Sequence, residues 1–160
     1  MPVTDITHDL ENLTLTITAQ FAAPVRRIWE IYADPRQLEK VWGPKDFPAT
    51  VVEHSLTPGG RVTYYMSGPG GERYYGYWNV LAVEEPTSFT YEDGFAREDF
   101  TPNVELPVST CVCTFTEKDG GTRAVYATSY PSREALQTVL EMGVEEGSRS
   151  AIDQIDDLVA

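Results

Sequence analysis

Side chains that could transfer a proton are scattered along the middle of the chain. The candidates are Glu53, His54, Arg73, Glu92 and Asp99. General acid–base catalysis needs such a group beside a bound ligand, and histidine titrates closest to neutral pH. Spacing alone pairs none of these residues, and a single histidine on a strand is more often structural. The chain also lacks the motifs of a nucleophile elbow, a phosphate-binding loop and a metal-ligand cluster.

Cys111 and Cys113 are the only two cysteines of the chain. They are two residues apart on a predicted strand, so both side chains should face the same side. Cysteines this close on a regular strand rarely have the geometry of a disulfide. His8 and His54 are the only histidines that could complete a metal site. We therefore predict two buried, small side chains and neither a metal nor a cofactor.

Aromatic side chains crowd the middle strands, where alternation should turn about half of them inward. They are Tyr64, Tyr65, Tyr74, Tyr75, Tyr77, Trp78, Phe89 and Tyr91. An inward tyrosine brings an apolar ring and a hydroxyl that needs a hydrogen-bond partner. An ordinary core and the wall of a ligand cavity both fit this pattern.

Residues 132–160 have the pattern of one long amphipathic helix. Ser132 is a good N-cap, and Glu134 lies in the first turn, where the helix dipole favours an acid. The apolar stripe contains Gly143 and Gly147 where larger side chains would pack better. The glycines indicate either close backbone contact with a sheet or room for a pocket beneath the helix. Gly147-Ser148 is where we expect the helix to bend.

The remaining elements are predicted from periodicity and turn residues. Residues 1–12 look like a flexible tail, and residues 13–160 form a single predicted domain, which begins with a strand at residues 13–21. Two short helices follow, starting near Pro24 and Pro35. Six strands are then predicted at residues 49–56, 61–66, 72–83, 88–91 (with an extension to 95 left open), 107–117 and 122–130. This order predicts an α+β fold with helices on one face of an antiparallel sheet. The loop at residues 96–106 is either a lid or a surface excursion.

Composition narrows the classes of partner. The formal net charge is −13, which argues against binding to nucleic acid or to anionic membranes. No stretch is apolar enough to span a bilayer, and the N-terminus has no apolar signal segment. We therefore expect an acidic, cytoplasmic protein.

Several stretches together are similar to one family. They are residues 21–29 (FAAPVRRIW), 34–44 (DPRQLEKVWGP), 58–62 (PGGRV) and 80–86 (VLAVEEP), the Gly120-Gly121-Thr122 hairpin and the Gly143…Gly147…Ile152-Asp153…Ile155 helix. On these stretches the chain resembles the START-like (Bet v 1-like, SRPBCC) superfamily. Within it, the chain is similar to the family of the C-terminal domain of the Hsp90 ATPase activator Aha1. The resemblance covers nearly the whole chain and bears on fold more than on function.

The resemblance implies a helix-grip fold, in which a curved sheet wraps a long C-terminal helix and two short helices close one end. A cavity commonly lies between sheet and helix, so we predict binding of a small hydrophobic or aromatic molecule there. The expected wall residues are Trp42, Tyr64, Tyr75, Tyr77, Phe89, Tyr91 and Phe115, with Gly143 and Gly147 leaving room.

Two alternatives follow from the same resemblance. One is an enzyme of the cyclase, aromatase or hydrolase kind, with His54, Arg73 or Glu92 handling protons. The other is a chaperone partner, as the family name suggests, although we do not expect this chain to activate Hsp90 directly. Ser55 and Ser148 depart from the family pattern, where Asp and Trp are frequent, so the shape of the pocket does not carry over.

Overall fold

The computed structural model describes residues 2–160. Met1, the first residue of the expected tail, lies outside the described residues. In chain order the elements are β1 (Val3–Asp9), β2 (Thr14–Phe21), α1 (Val25–Ala33), α2 (Pro35–Val41), β3 (Ala49–Glu53), β4 (Arg61–Ser67), β5 (Arg73–Glu84), β6 (Ser88–Ala96), β7 (Ser109–Lys118), β8 (Gly121–Ser129), α3 (Arg133–Glu141), α4 (Val144–Asp153) and α5 (Ile155–Val159). From β2 onward the predicted order of one strand, two short helices and six strands is confirmed. The strand β1 was not predicted, and three helices stand where one long helix was expected.

Within residues 2–160 the strands form one antiparallel sheet of eight, in the order β1-β2-β8-β7-β6-β5-β4-β3. The register slips between Val51 and Glu53 and between Val80 and Ala82. Such irregularities bend a strand and increase its twist, so they help the sheet to curve. The α+β helix-grip fold predicted for the chain is confirmed.

The N-terminal segment is not the flexible tail that we expected. Val3–Asp9 pairs with β2 along its length, from Val3 opposite Ala19 to Asp9 opposite Thr14. The Asp9 carboxylate closes the connecting turn by accepting from the Glu11 and Asn12 backbone N–H groups at 2.9 and 3.1 Å. The sequence of β1 has little apolar alternation. Main-chain hydrogen bonds hold this edge strand in the sheet, and they do not require a particular pattern of side chains. Side-chain periodicity therefore could not reveal it.

The C-terminal helical segment is present but interrupted. The break comes at Gly143, where φ is +85°, and not at Gly147-Ser148 as predicted. A left-handed residue ends a helix, and glycine adopts this conformation without steric cost. The Gly143 N–H bonds back to the Leu140 carbonyl at 3.1 Å, and α4 starts at the next residue. A second, smaller interruption at Gln154 separates α4 from α5.

The two ends of the C-terminal segment are anchored in different apolar clusters. Leu136 and Val139 of α3 pack in a small cluster with Leu15 of β2. Ile152 and Ile155 belong to the main core, together with α1 and most of the sheet. Between these anchors, residues 142–148 are exposed or only partly buried. The segment thus bridges the concave face of the sheet and touches it firmly at its ends.

Candidate functional site

A cavity of about 370 Å³ lies beneath this bridge. Its floor is the concave face of the sheet, to which β2, β4, β6, β7 and β8 contribute side chains. The end of α2 supplies one wall, and α3 and α4 form the roof. Most lining side chains are apolar or aromatic, including Ile17, Trp42, Met66, Tyr91 and Tyr126.

Trp42 organises the aromatic wall. Its ring centroid lies 5.7 Å from that of Tyr64 and 4.8 Å from that of Trp78, with edge-to-face geometry in both pairs. Trp78 in turn stacks on Tyr91 at 4.2 Å. Helix α2 can hold Trp42 here because Asp34 caps its N-terminus by accepting from the Arg36 N–H at 2.9 Å. The rings therefore form a connected, rigid surface and not a set of independent side chains.

Asp93 is the functional candidate that the sequence analysis missed. It lies on β6, on the same face as Phe89 and Tyr91, and it lines the cavity. Its carboxylate Oδ1 accepts a hydrogen bond from the Tyr64 hydroxyl at 3.1 Å. Burial raises the pKa of Asp93 to about 7, and the bond from Tyr64 only partly opposes that shift. Among the described residues, Asp93 is the one charged side chain that lines this cavity.

A glycine allows the contact between Tyr64 and Asp93. Tyr64 is on β4 and Asp93 is on β6, so the tyrosine must reach across β5. It crosses directly over Gly76, where an added Cβ would lie 2.4 Å from the tyrosine ring. Any larger residue at position 76 would displace the ring. Gly76 therefore positions the Tyr64 hydroxyl beside the carboxylate.

The pKa values of the tyrosine hydroxyls and cysteine thiols around the cavity are shifted in different directions. Burial raises the pKa of Tyr64, Tyr91 and Tyr130 above the usual tyrosine range, so these phenols stay neutral at neutral pH. The Sγ atoms of Cys111 and Cys113 are 3.9 Å apart, and both cysteines are buried and free. The hydrogen bond from Cys113 lowers the pKa of Cys111, whereas burial raises that of Cys113. Cys111 lines the cavity, and the two thiols face the same side, as the spacing predicted.

Neither glycine of the roof is in close contact with the sheet. An added Cβ at Gly143 would have no heavy atom within 4 Å, and one at Gly147 would meet only Pro44 Cγ at an ordinary 3.7 Å. The two glycines therefore leave room beneath the helical segment, and the alternative of close backbone contact with the sheet does not apply. At Gly143 the backbone conformation also requires glycine.

Five of the nine predicted wall residues line the cavity, and the other four do not. Trp42, Tyr64, Tyr91, Gly143 and Gly147 line the cavity. The other four are Tyr75, Tyr77, Phe89 and Phe115, and the expectation that they form its wall is corrected.

Two physical reasons account for this correction. Tyr75 and Tyr77 alternate with Gly76 and Trp78 on β5, so they lie on the outer face of the sheet. Phe89 and Phe115 face inward, but α1 covers them. Their ring centroids lie 5.8 Å from that of Trp29 and 5.6 Å from that of Tyr32, respectively.

The proton-transfer candidates from the sequence do not line the cavity. His54 Nε2 is 2.8 Å from the Tyr32 carbonyl oxygen, a structural contact. The Arg73 guanidinium lies over the Tyr65 ring at 4.3 Å on the outer face, and Glu92 alternates with Asp93 to that same face. Glu53 is exposed, and the Asp99 carboxylate accepts from Thr101 within its own loop.

The loop at residues 96–106 packs on the outer face of the sheet. The Phe100 ring lies 5.4 Å from Tyr75, and Arg61 donates to the Phe100 carbonyl. No residue of this loop lines the cavity among those described. The lid interpretation therefore has no support here, and the loop is a surface excursion.

The described residues contain neither a membrane-spanning helix nor a metal-binding cluster. No helix between residues 2 and 160 combines the length and apolarity needed to cross a bilayer. Over the same range, no group of three or more His, Cys, Asp or Glu side chains is placed to hold a metal ion.

A curved antiparallel sheet that encloses a cavity with a C-terminal helical segment defines the helix-grip class of protein. Residues 22–160 match the family model described as Activator of Hsp90 ATPase homolog 1-like protein (AHSA1), and the chain belongs to this family. No curated protein matches the chain.

Solved structures agree with this assignment. Protein Ms6760 from Mycobacterium smegmatis is 70% identical, with a TM-score of 0.93 over 99% of this chain and 98% of that one. A protein from Arthrobacter aurescens is 42% identical, with a TM-score of 0.92 over 96% and 90% of the two chains. A protein from Staphylococcus epidermidis is 26% identical, with a TM-score of 0.84 over 97% and 93%.

Proposed function

We propose that this protein binds a small apolar or aromatic molecule in the cavity between the sheet and α3–α4. One observation carries the proposal: among the described residues, the cavity of about 370 Å³ has a mainly apolar and aromatic lining with a single charged group. Small-molecule sites are typically ~300–1,000 Å³ and have this composition of many apolar walls and few polar groups. The rigid cluster around Trp42 would spare a flat ligand much of the cost of ordering its site.

Native mass spectrometry of freshly purified protein tests this proposal first. A co-purifying small molecule that survives gentle ionisation is the expected result. A neutral solvatochromic dye, titrated while Trp fluorescence is recorded, tests binding when nothing co-purifies. Trp42 lines the cavity, whereas Trp29 and Trp78 are fully buried and do not line it, although Trp78 packs behind Trp42. A Trp42→Phe variant should therefore lose most of the ligand-induced change.

A matched pair of variants separates the cavity from the surface. Gly147→Leu places a side chain at a cavity-lining position, and Glu146→Leu adds the same side chain at the neighbouring exposed position. We expect the first to weaken dye binding at least tenfold and the second to leave it unchanged. Equal binding by both variants would contradict the proposed site.

Acid–base catalysis in the same cavity is a second candidate function. The hypothesis that relied on His54, Arg73 or Glu92 loses its support, because none of them lines the cavity. Asp93 favours it instead, since a carboxyl with a pKa of about 7 can accept and return a proton near neutral pH. Conversion of a bound ligand by the wild type, with binding but no conversion by Asp93→Asn, is the result expected of an enzyme.

The predicted chaperone partner stays a prediction. Its support is the family description, Activator of Hsp90 ATPase homolog 1-like protein. An Hsp90 ATPase assay with the full chain measures it directly.

A further inference from the structure

The polar part of the cavity indicates which ligand chemistry it suits. Asp93 supplies the one charged group among the described lining residues, and no Lys, Arg or His accompanies it there. An anionic ligand would bury a second negative charge beside this carboxylate with no cation to offset it, which is strongly unfavourable. Fatty acids and other carboxylates are therefore poor candidates.

The surroundings of Asp93 suit a positive charge. The aromatic side chains of Trp42, Tyr64 and Tyr91 border the same space, and aromatic rings attract organic cations through their quadrupoles. The Tyr64 hydroxyl donates to Oδ1 and helps to hold the carboxylate in place, so the carboxylate can still accept from a ligand. A charge-assisted hydrogen bond from an ammonium group is stronger than one between neutral groups.

The charge outside the cavity acts in the same direction. The whole chain carries a net charge of −13. Glu141 lies next to the lining residue Met142, whereas the charge of Glu146, next to Gly147, is partly offset by Arg149 at 3.8 Å. A negative field around a cleft raises the local concentration of cations and steers them inward.

We infer that the ligand is an organic cation: an apolar, aromatic molecule with one protonated amine that pairs with the Asp93 carboxylate. This inference rests on the proposed function, since it names the ligand class of that same cavity.

Three probes that share a naphthalene body test the inference. They are 1-naphthylmethylamine, 1-naphthylmethanol and 1-naphthoate, titrated against the full chain at pH 8 by isothermal calorimetry. We expect the amine to bind at least tenfold more tightly than the alcohol, and the carboxylate to bind most weakly.

Asp93→Asn should remove the preference for the amine while binding of the alcohol persists. The matched control is Glu92→Gln, which removes the same charge one residue away on the outer face.

The pH dependence gives an independent readout. The titratable groups near Asp93 are Tyr64 on β4, Tyr77 on β5, Tyr91 on its own strand, Cys111 on β7 and Tyr130 after β8, while the lining residues of α3 and α4 do not titrate. Since Asp93 has a pKa of about 7, binding of the amine should weaken roughly thirtyfold from pH 8 to pH 5.5. Binding of the alcohol should change little or strengthen.

The outcomes separate this inference from the proposed function. Binding of the alcohol without a preference for the amine overturns the inference and leaves the cavity as a ligand site. A preference for the amine that survives in Asp93→Asn overturns it as well. Failure of the neutral dye and all three probes to bind counts against the proposed function, and the inference falls with it.

Discussion

Replacing Asp93 by asparagine removes a partly buried charge while it keeps the size of the side chain and an acceptor for the Tyr64 hydroxyl. Burial raises the pKa of this carboxyl from 3.8 to about 7 in the folded protein. The folded state therefore holds a proton on Asp93 over a pH range in which the unfolded chain has released it. Stability from this group is fully present below the unfolded value of 3.8 and is lost as the pH rises through about 7.

The size of the effect follows from the pKa difference. At about 1.4 kcal/mol per pH unit, the ionised carboxylate costs the folded protein roughly 4 kcal/mol above pH 7. Of this, roughly 2–3 kcal/mol develops between pH 5 and pH 8. Asparagine has no such dependence, but its buried amide N–H₂ needs partners and costs about 1–3 kcal/mol if it finds none. We therefore expect Asp93→Asn to be more stable than the wild type at pH 8 and equal to it or less stable at pH 5.

Urea unfolding at pH 5, 6, 7 and 8 measures this prediction. The relevant quantity is the difference in unfolding free energy between variant and wild type at each pH, because general charge repulsion affects both proteins alike. Glu92→Gln controls for the loss of one charge at the neighbouring position on the outer face of the sheet. Parallel curves for Asp93→Asn and the wild type would refute the reasoning, because Asp93 would then titrate alike in both states.

Other predictions concern the helical roof and its anchors. Gly143→Ala should destabilise the protein by about 1–2 kcal/mol, since φ is +85° there, whereas Gly147→Ala should be neutral or stabilise it by up to about 1 kcal/mol. Thermal unfolding of the two variants checks this, and equal shifts would contradict the left-handed assignment. Ser132→Ala removes the side-chain acceptor for the Ala135 N–H and should cost about 1 kcal/mol, while Ser132→Asp should not. Leu136→Ala should cost about 2–5 kcal/mol in chemical denaturation, because this side chain is fully buried where α3 is anchored.

Local sequence patterns predicted most of the elements. Period-two alternation identified the strands after residue 49, and the Pro35 and Asp34 pair marked the start of α2. These features depend on neighbours along the chain, so they can be read without knowing the fold.

The missed and misplaced site residues have a common cause. Alternation from Phe89 and Tyr91 also turns Asp93 inward, but a charged residue is usually found at the surface, and the sequence leaves open whether the strand continues past Tyr91. Conversely, Tyr75 and Tyr77 were expected in the wall because of their residue type, and their positions on β5 turn them outward. Residue type was a poorer guide here than register.

The sequence by itself determined the order of the elements, the acidic character of the surface and the aromatic content of the middle strands. Tertiary structure alone decided that β1 joins the sheet, that α1 covers Phe89 and Phe115, and that Tyr64 crosses Gly76 to reach Asp93. The reason is physical. The features that the sequence determined depend on residues adjacent in the chain. Those that tertiary structure decided depend on hydrogen bonds and contacts between residues far apart in sequence, which exist only once the sheet has formed and curved.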